Sequence, residues 1–333
     1  MGRFQPPQMT DLLAIRKALS LGRQVVLLLM GHRLARTPKN PWTSEERQTM
    51  VEACLTPEER ARIHFVPVQD WLYNASLWVE SVQRGVHAIV PEGFSVAVLE
   101  STKDERRTCL DLFPEWARVE FQGGDGTDGS ELRGRYFTDP RSLDLEETLP
   151  RPVRAWLRSW ESTDLYQGLL EEYRYILDYR ARWSVAPYAV NFVTADAVVV
   201  KAGHVLLVER KRHPGKGLFA LPGGFLDTQE TLLQAALREL QEETHLQVSE
   251  GELLQALEAE KVFDDPVRSI RGRTLTCAFY FNLGPGPLPE IEAADDAARA
   301  FWLPLSEVGV SAERFFDDHK DVIGYFTDRS GPC

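Results

Sequence analysis

Hydrophobic positions in the first part of the chain fall in short runs, separated by stretches where they recur every three or four residues. Gln24–Met30, Ile63–Val68, Phe94–Leu99 and Arg118–Phe121 have the length and composition of strands, whereas Asp11–Leu19 and Ser44–Leu55 have helical spacing. That alternation predicts an α/β domain with a mostly parallel sheet. The run GGDGTDG at 123–129 predicts a flexible loop, and Pro140 punctuates the chain before Pro150 and Pro152 open a helical region. In that region Trp156, Leu157, Trp160, Leu169, Leu170, Tyr173, Ile176 and Leu177 keep roughly helical spacing, and Pro187 ends it. The pattern divides the chain into a domain over 1–140, a helical bridge over 141–186 and a second domain over 187–333.

From Asn191 the pattern turns to strands. AVVVKAGHVLLVERK at 197–211 reads as two strands joined by a tight turn at Ala202-Gly203, LTCAFYFNL at 275–283 as a third, and ARAFWLPL at 298–305 as an edge strand stopped by Pro304. GPGPLP at 284–289 is a loop. Between these elements Leu232, Leu233, Ala236 and Leu240 form the apolar stripe of an amphipathic helix. Asp227 with Glu230 three residues later has the form of a capping box at its start, and Gly223-Gly224 reads as flexible backbone between a strand ending near Leu221 and the helix. Glu239, Glu242 and Glu243 stand at i, i+3 and i+4, so their carboxylates share one patch, where like charges cost about 0.2 to 0.5 kcal/mol per pair. Either this is a solvated acidic face relieved in part by Arg238, or a hard divalent cation such as Mg²⁺ (or Mn²⁺) resolves the repulsion.

Composition narrows the partners. With 333 residues, 43% hydrophobic and 26% charged, the chain can form two soluble domains. A formal net charge of −12 argues against a general binder of nucleic acid or anionic membrane, and leaves a small-molecule partner. Cys54, Cys109, Cys277 and Cys333 are widely spaced and suggest neither a zinc knuckle nor a disulfide framework, consistent with a reduced, cytoplasmic setting. The longest apolar run, VVLLLM at 25–30, is too short to span a bilayer. Oligomeric state is left open, with room for a homo-oligomer.

The spacing of the carboxylate helix is more specific than an acidic face requires. Gly224 is followed after five residues by Glu230 and, after seven more, by Arg238-Glu239-Leu240-x-Glu242-Glu243. This resembles the Nudix box. The resemblance implies a Nudix α/β/α sandwich with a mixed sheet, in which the loop at Gly223 and Gly224 and the helix bind metal and diphosphate. Glu239, Glu242 and Glu243 would be the metal-binding carboxylates, Arg238 would orient them, and Glu230 would serve the helix start. One position departs from the pattern: His245 stands where the family usually has glycine, and His enters the left-handed region more readily than most residues. For the general base, Glu239 is the first candidate and Glu290, Glu292, Asp295 and Asp296 form a loop alternative.

Flanking stretches, GHVLLVERKRHPGKGLFALPGGF and SIRGRTLTCAFYF, resemble Nudix enzymes acting on ADP-ribose, especially those fused to a nicotinamide-nucleotide adenylyltransferase domain. Arg210, Arg271 and Arg273 are candidates to pair with phosphate, with Arg273 preferred, since guanidinium matches such oxygens in a fork. Phe219 and Phe263 are candidates to stack on adenine, against the commoner fate of core packing. His204, His213 and His319 read as surface or structural residues.

GRFQPPQMTDLLAIRKAL at 2–19, ARTPKNPWTSEERQTMV at 35–51, LESTKDERRTCLDLFPEW at 99–116 and GSELRGRYF at 129–137 resemble that adenylyltransferase family, which implies a Rossmann-like nucleotidyltransferase domain. The family's His-x-Gly-His motif is replaced by Gln8, Met9, Thr10 and Asp11, which sets a carboxylate where a triphosphate belongs. The family's strand before Gly-Arg-Phe-Gln-Pro has no counterpart ahead of Met1, so the expectation is that the sheet lacks its first strand or that the stated start lies inside the reading frame. Ser130 with Arg133, and Lys103 with Asp104, keep parts of two further motifs and leave room for weak nucleotide binding. The resemblance therefore implies a Mg²⁺-dependent hydrolase that converts ADP-ribose to AMP and ribose 5-phosphate in NAD turnover, attached to a degenerate, structural or ligand-sensing domain. Two other readings are a bifunctional enzyme that keeps adenylyl transfer, and a regulator that binds ADP-ribose without cleaving it. The lack of a basic DNA-reading helix weighs against the last.

Overall fold

The computed structural model describes residues 1–91, 93–101, 111–123, 126–145, 147–294 and 297–327. Lys103, Asp104, Cys109, Asp295, Asp296 and Cys333, together with residues 124 and 125 of the glycine-rich run, lie outside the described residues. The chain divides into two compact units, Met1–Leu170 and Glu171–Cys333. Among the described residues, no helix is long and apolar enough to cross a membrane.

The first unit contains α1 (Met9–Leu21), β1 (Val25–Met30), α2 (Ser44–Glu52), α3 (Pro57–Arg60), β2 (Ile63–Val68), α4 (Ala75–His87), β3 (Ala97–Ser101), β4 (Ala117–Phe121), α5 (Gly129–Thr138) and α6 (Arg151–Trp160). Strand β1 runs parallel to β2, and β3 parallel to β4, as the strand-and-helix rhythm predicts. Strand β1 is a continuous apolar run because both its faces are covered. Leu27 and Leu29 pack with Leu12, Ile15 and Leu19 of α1, while Leu28 packs with Val82 and Val86 of α4. Gly2 forms a parallel bridge to Leu29, donating its N–H to the Leu28 carbonyl at 3.1 Å and accepting from the Met30 N–H at 3.0 Å.

Helix α7 (Asp164–Trp183) crosses from the first unit into the second. The second unit then forms β5 (Phe192–Lys201), β6 (His204–Arg210), β7 (Phe219–Ala220), β8 (Gly223–Phe225), α8 (Leu232–Thr244), α9 (Glu250–Gln255), β9 (Leu257–Phe263), β10 (Thr274–Asn282), β11 (Ala297–Pro304), α10 (Leu305–Val308) and α11 (His319–Thr327). Its sheet has the order β11-β6-β5-β10-β9, with β7 beside β6 and β8 beside β5. The pair β5 and β10 is parallel and the rest are antiparallel, so the sheet is mixed, and β11 is an edge as its terminal Pro304 foretells. Ala202 and Gly203, at φ 47° and 75°, make the tight turn between β5 and β6. Helix α8 lays Ala235, Ala236 and Leu240 against Ala195, Ala197 and Val199 of β5 and Phe279 and Phe281 of β10.

Two local expectations are corrected. Helix α8 starts at Leu232, capped by Thr231, whose hydroxyl accepts from the Gln234 N–H while the Gln234 side chain accepts from the Thr231 N–H. Asp227 and Glu230 form a separate turn before it, the Asp227 N–H donating to Glu230 at 2.9 Å; a box four residues downstream outcompetes them as the cap because the apolar stripe begins there. Gly223 and Gly224 are also not loose backbone. They form β8, in register with Asp196 and Ala195 of β5. The helix end matches expectation: His245 is left-handed, at φ 41° and ψ 39°.

Candidate active site

Glycine at 223 and 224 is required by close approach. A Cβ on Gly224 would come within 2.3 Å of a Glu239 carboxylate oxygen, and one on Gly223 within 2.2 Å of an Asp196 oxygen. Strand β8 therefore brings bare backbone against acidic side chains from two directions: from α8, and from β5, where Asp196 is a lone buried acid in an apolar strand. The Gly223 N–H donates to Glu243 at 3.1 Å. Glu243 is buried and its carboxyl is pushed up to about 8, first by desolvation and then by the charges of Glu239 and Asp196, with the Gly223 hydrogen bond pulling the other way.

Arg238 organises the rest of the patch. Its guanidinium donates to Glu230 through Nε at 3.0 Å and Nη2 at 2.8 Å, and through Nη1 to both Glu239 and Glu242 at 2.9 Å; Nη2 also donates to the Phe225 carbonyl at 3.2 Å. This holds Glu230 down at about 2. The three box glutamates are thus divided. Glu239 and Glu242 share the arginine, while Glu243 turns under β8. Among the described residues no three His, Cys, Asp or Glu side chains are gathered into a ready metal cage. The donor set nevertheless suits a hard divalent cation. The charges of Glu239 and Asp196 both act against an ionised Glu243 beside β8, and such a cation would relieve that repulsion through oxygen ligands.

The arginines sort differently from the sequence expectation. Arg210 and Arg271 both reach the Phe316 ring, at 4.2 and 5.9 Å from its centroid, and Arg271 also lies 5.1 Å from the Phe225 centroid, at the end of β8. Arg210 acts electrostatically on Glu243, so it shares the carboxylate neighbourhood. Arg273, half-buried like them, donates its guanidinium to the Asp264 carbonyl. The two aromatic candidates for stacking are core residues. Phe219 packs edge-on to Phe301 and Phe315, Phe263 packs edge-on to Tyr325, and both are almost fully buried. The loop with Glu290 and Glu292 is fastened to the end of α8 by backbone bonds, Gln247 N–H to Glu290 and Glu292 N–H to Thr244, both near 3 Å. Both sources of a general base therefore stay in reach of one helix.

Sequence reasoning missed Asp196, although an acid inside the apolar run of β5 was a signal. His319, read from the sequence as surface or structural, is structural: a buried ring whose Nδ1 accepts the Leu221 N–H at 2.9 Å, tying α11 to the turn that leads into β8; burial drives its pKa down to about 4. Beside it Arg268 and Asp318 form a buried two-pronged ion pair at 2.8 Å.

The corresponding corner of the first unit is closed. Asp11 accepts the Gln8 N–H at 2.7 Å at the start of α1, and the Gln8 side-chain amide donates to the Thr127 carbonyl at 2.8 Å. Desolvation pushes Asp11 up to about 6. Ser130 is bonded to Asp128, and Arg133 to the Gln5 carbonyl at 2.7 Å.

A helix with glutamates at this spacing, pressed on a glycine strand of a mixed sheet, defines a Nudix hydrolase fold, and the NUDIX domain model matches residues 190–326, with a cytidylyltransferase-like model over residues 1–92. A bifunctional NMN adenylyltransferase/ADP ribose pyrophosphatase from Francisella tularensis, solved with AMP and a manganese ion, superposes with a TM-score of 0.90 at 32% identity, covering 99% of this chain and 98% of its own. The chain is also 34% identical over 175 residues to the nicotinamide/nicotinic acid mononucleotide adenylyltransferase of Acinetobacter baylyi, which is 52% of this chain and 91% of the relative. It is 34% identical over 139 residues to the ADP-ribose pyrophosphatase of Methanocaldococcus jannaschii, 42% of this chain and 75% of the relative. The chain belongs to the family of Nudix hydrolases fused to an NMN adenylyltransferase-like domain. Nudix hydrolases generally work with divalent metals.

Proposed function

We propose that the second unit hydrolyses the diphosphate of ADP-ribose to AMP and ribose 5-phosphate with Mg²⁺ or Mn²⁺. The observation that carries this reading is the meeting of Glu239, Glu243 and Asp196 around β8, with Arg238 bracing Glu239. Glu239, Glu242 and Glu243 would hold the ion. When bound, a divalent cation neutralises phosphate charge and acidifies a coordinated water. The chain's own part is positional. Arg238 fixes Glu239, the first candidate to take the proton from the attacking water; the Gly223 N–H fixes Glu243; and the bare strand would let a diphosphate approach without a Cβ in the way. Arg210 and Arg271 would supply counter-charge to the phosphate oxygens. Water adds to one phosphorus, the bridging P–O bond breaks, and each product keeps one phosphate. The relatives named as ADP-ribose pyrophosphatases support the substrate.

For the first unit, the relatives named as adenylyltransferases favour retained transfer, while the self-capped corner at Gln8 and Asp11 favours its loss. We take the second reading, because a carboxylate occupies the helix end a triphosphate would need. One panel tests both: nucleoside diphosphate derivatives assayed with Mg²⁺ and with Mn²⁺, products resolved by chromatography, beside an assay for NAD formation from NMN and ATP. The expected result is ADP-ribose cleavage without NAD synthesis. Absence of cleavage of every derivative with either metal contradicts the first proposal, and robust NAD synthesis the second.

A further inference from the structure

A cleft of about 430 Å³ lies in the second unit, between the end of α7, the segment after it and the turn before β10, walled by Arg180, Trp183, Tyr188, Phe192, Arg271 and Gly272. Its aromatic walls are accessible: Trp183 is 46% and Tyr188 86% exposed. Trp183 stands edge-on to Phe192 at 5.2 Å between ring centroids, and Phe192 edge-on to Phe225 at 5.8 Å. Phe225 directly follows Gly224, so a row of rings leads from the cleft to the strand that faces the carboxylates. Arg271 joins the two places. It lines the cleft, its guanidinium lies over Phe225, and its Nε is buried with no hydrogen-bond partner. A buried donor left unpaired is costly, and a ligand acceptor would recover that cost. Arg180 pins the turn that carries Arg271 by donating to the Ile270 carbonyl at 2.6 Å, so the rim is held in shape.

Resting on the diphosphate reading above, we infer that this cleft receives the nucleobase of the substrate, stacked on Trp183 and Tyr188, while Arg271 bridges from the base end toward the phosphates. Flat aromatic walls suit a base, whereas a ribose phosphate presents hydroxyls and charge that they do not satisfy. This assigns specificity to residues outside the box and outside the core phenylalanines.

Binding of AMP and of ribose 5-phosphate to the full chain, measured by calorimetry for wild type, Trp183→Ala, Trp183→Phe and Tyr188→Ala, tests the inference. The expected result is AMP affinity lowered roughly 5- to 100-fold in each alanine variant, largely restored in Trp183→Phe, with ribose 5-phosphate unaffected. In ADP-ribose turnover the same variants raise KM by a like factor and leave kcat within about twofold. AMP affinity within about twofold of wild type in Tyr188→Ala, whose exposed side chain can be removed without loss of fold, would overturn the inference. So would a selective loss of ribose 5-phosphate affinity, or wild type that binds no AMP. If wild type cleaves no nucleoside diphosphate derivative, the reaction reading fails, while the AMP comparison still decides the cleft.

Discussion

The start of α1 and the surface of α8 are both sites where a helix meets a phosphate-sized ligand in proteins of this architecture, and the chain has treated them in opposite ways. At α1 the chain satisfies its own helix start: Asp11 accepts the Gln8 N–H, and the Gln8 amide donates to the Thr127 carbonyl. At α8 the chain withholds its own atoms, with two glycines where any side chain would collide with Glu239 or Asp196. On the reading proposed above, a site survives where acidic repulsion is left for a ligand to relieve and closes where local hydrogen bonds relieve it.

The largest effect that separates the two regions is loss of chemistry at α8. Glu243→Gln keeps the acceptor for the Gly223 N–H and removes the carboxylate that would ionise on a bound cation, so Mg²⁺-dependent turnover is expected to vanish while the melting profile stays cooperative; unchanged turnover contradicts the role. Next, Arg238→Lys keeps a positive charge without the fork that reaches Glu230, Glu239 and Glu242 at once, and turnover should fall roughly 10- to 100-fold. A drop of less than twofold would show that orientation is set elsewhere. A third effect is on stability. Leu240→Ala empties a buried position between α8 and the sheet, and chemical denaturation should show a loss of about 2–5 kcal/mol.

A smaller effect concerns pH. His319 is held neutral by burial, with its folded pKa lowered to about 4 from 6.5. A lowered pKa adds stability above 6.5 that is lost as pH falls through 4, worth about 3 kcal/mol in all. Denaturation of wild type and His319→Asn across that window should show the variant less sensitive to acid; parallel curves would contradict the assignment. The smallest effect is at the cap, where Thr231→Ala should cost about 1 kcal/mol without changing metal dependence.

Much of this was legible in the residues. The strands of the second unit, the turn at Ala202-Gly203, the edge strand at Pro304 and the left-handed His245 follow from period, turn chemistry and capping. The helix start was misplaced because two capping boxes lie four residues apart and only tertiary packing selects one. The glycines were misread because a close approach of backbone to carboxylate leaves no local trace beyond glycine itself. The ranking of Arg210, Arg271 and Arg273 depends on Phe225 and Phe316, whose positions come from distant segments of the chain. Trp183 and Tyr188 went unnoticed as site residues for the same reason. They flank the end of a helix in sequence and meet the turn at 271–272 only in the fold.

The most direct test of the account is anomalous diffraction from crystals soaked in Mn²⁺ and AMP. The account predicts a manganese peak bounded by Glu239 and Glu243 beside β8. A well-ordered map with those carboxylates bare and the ion bound elsewhere would contradict it.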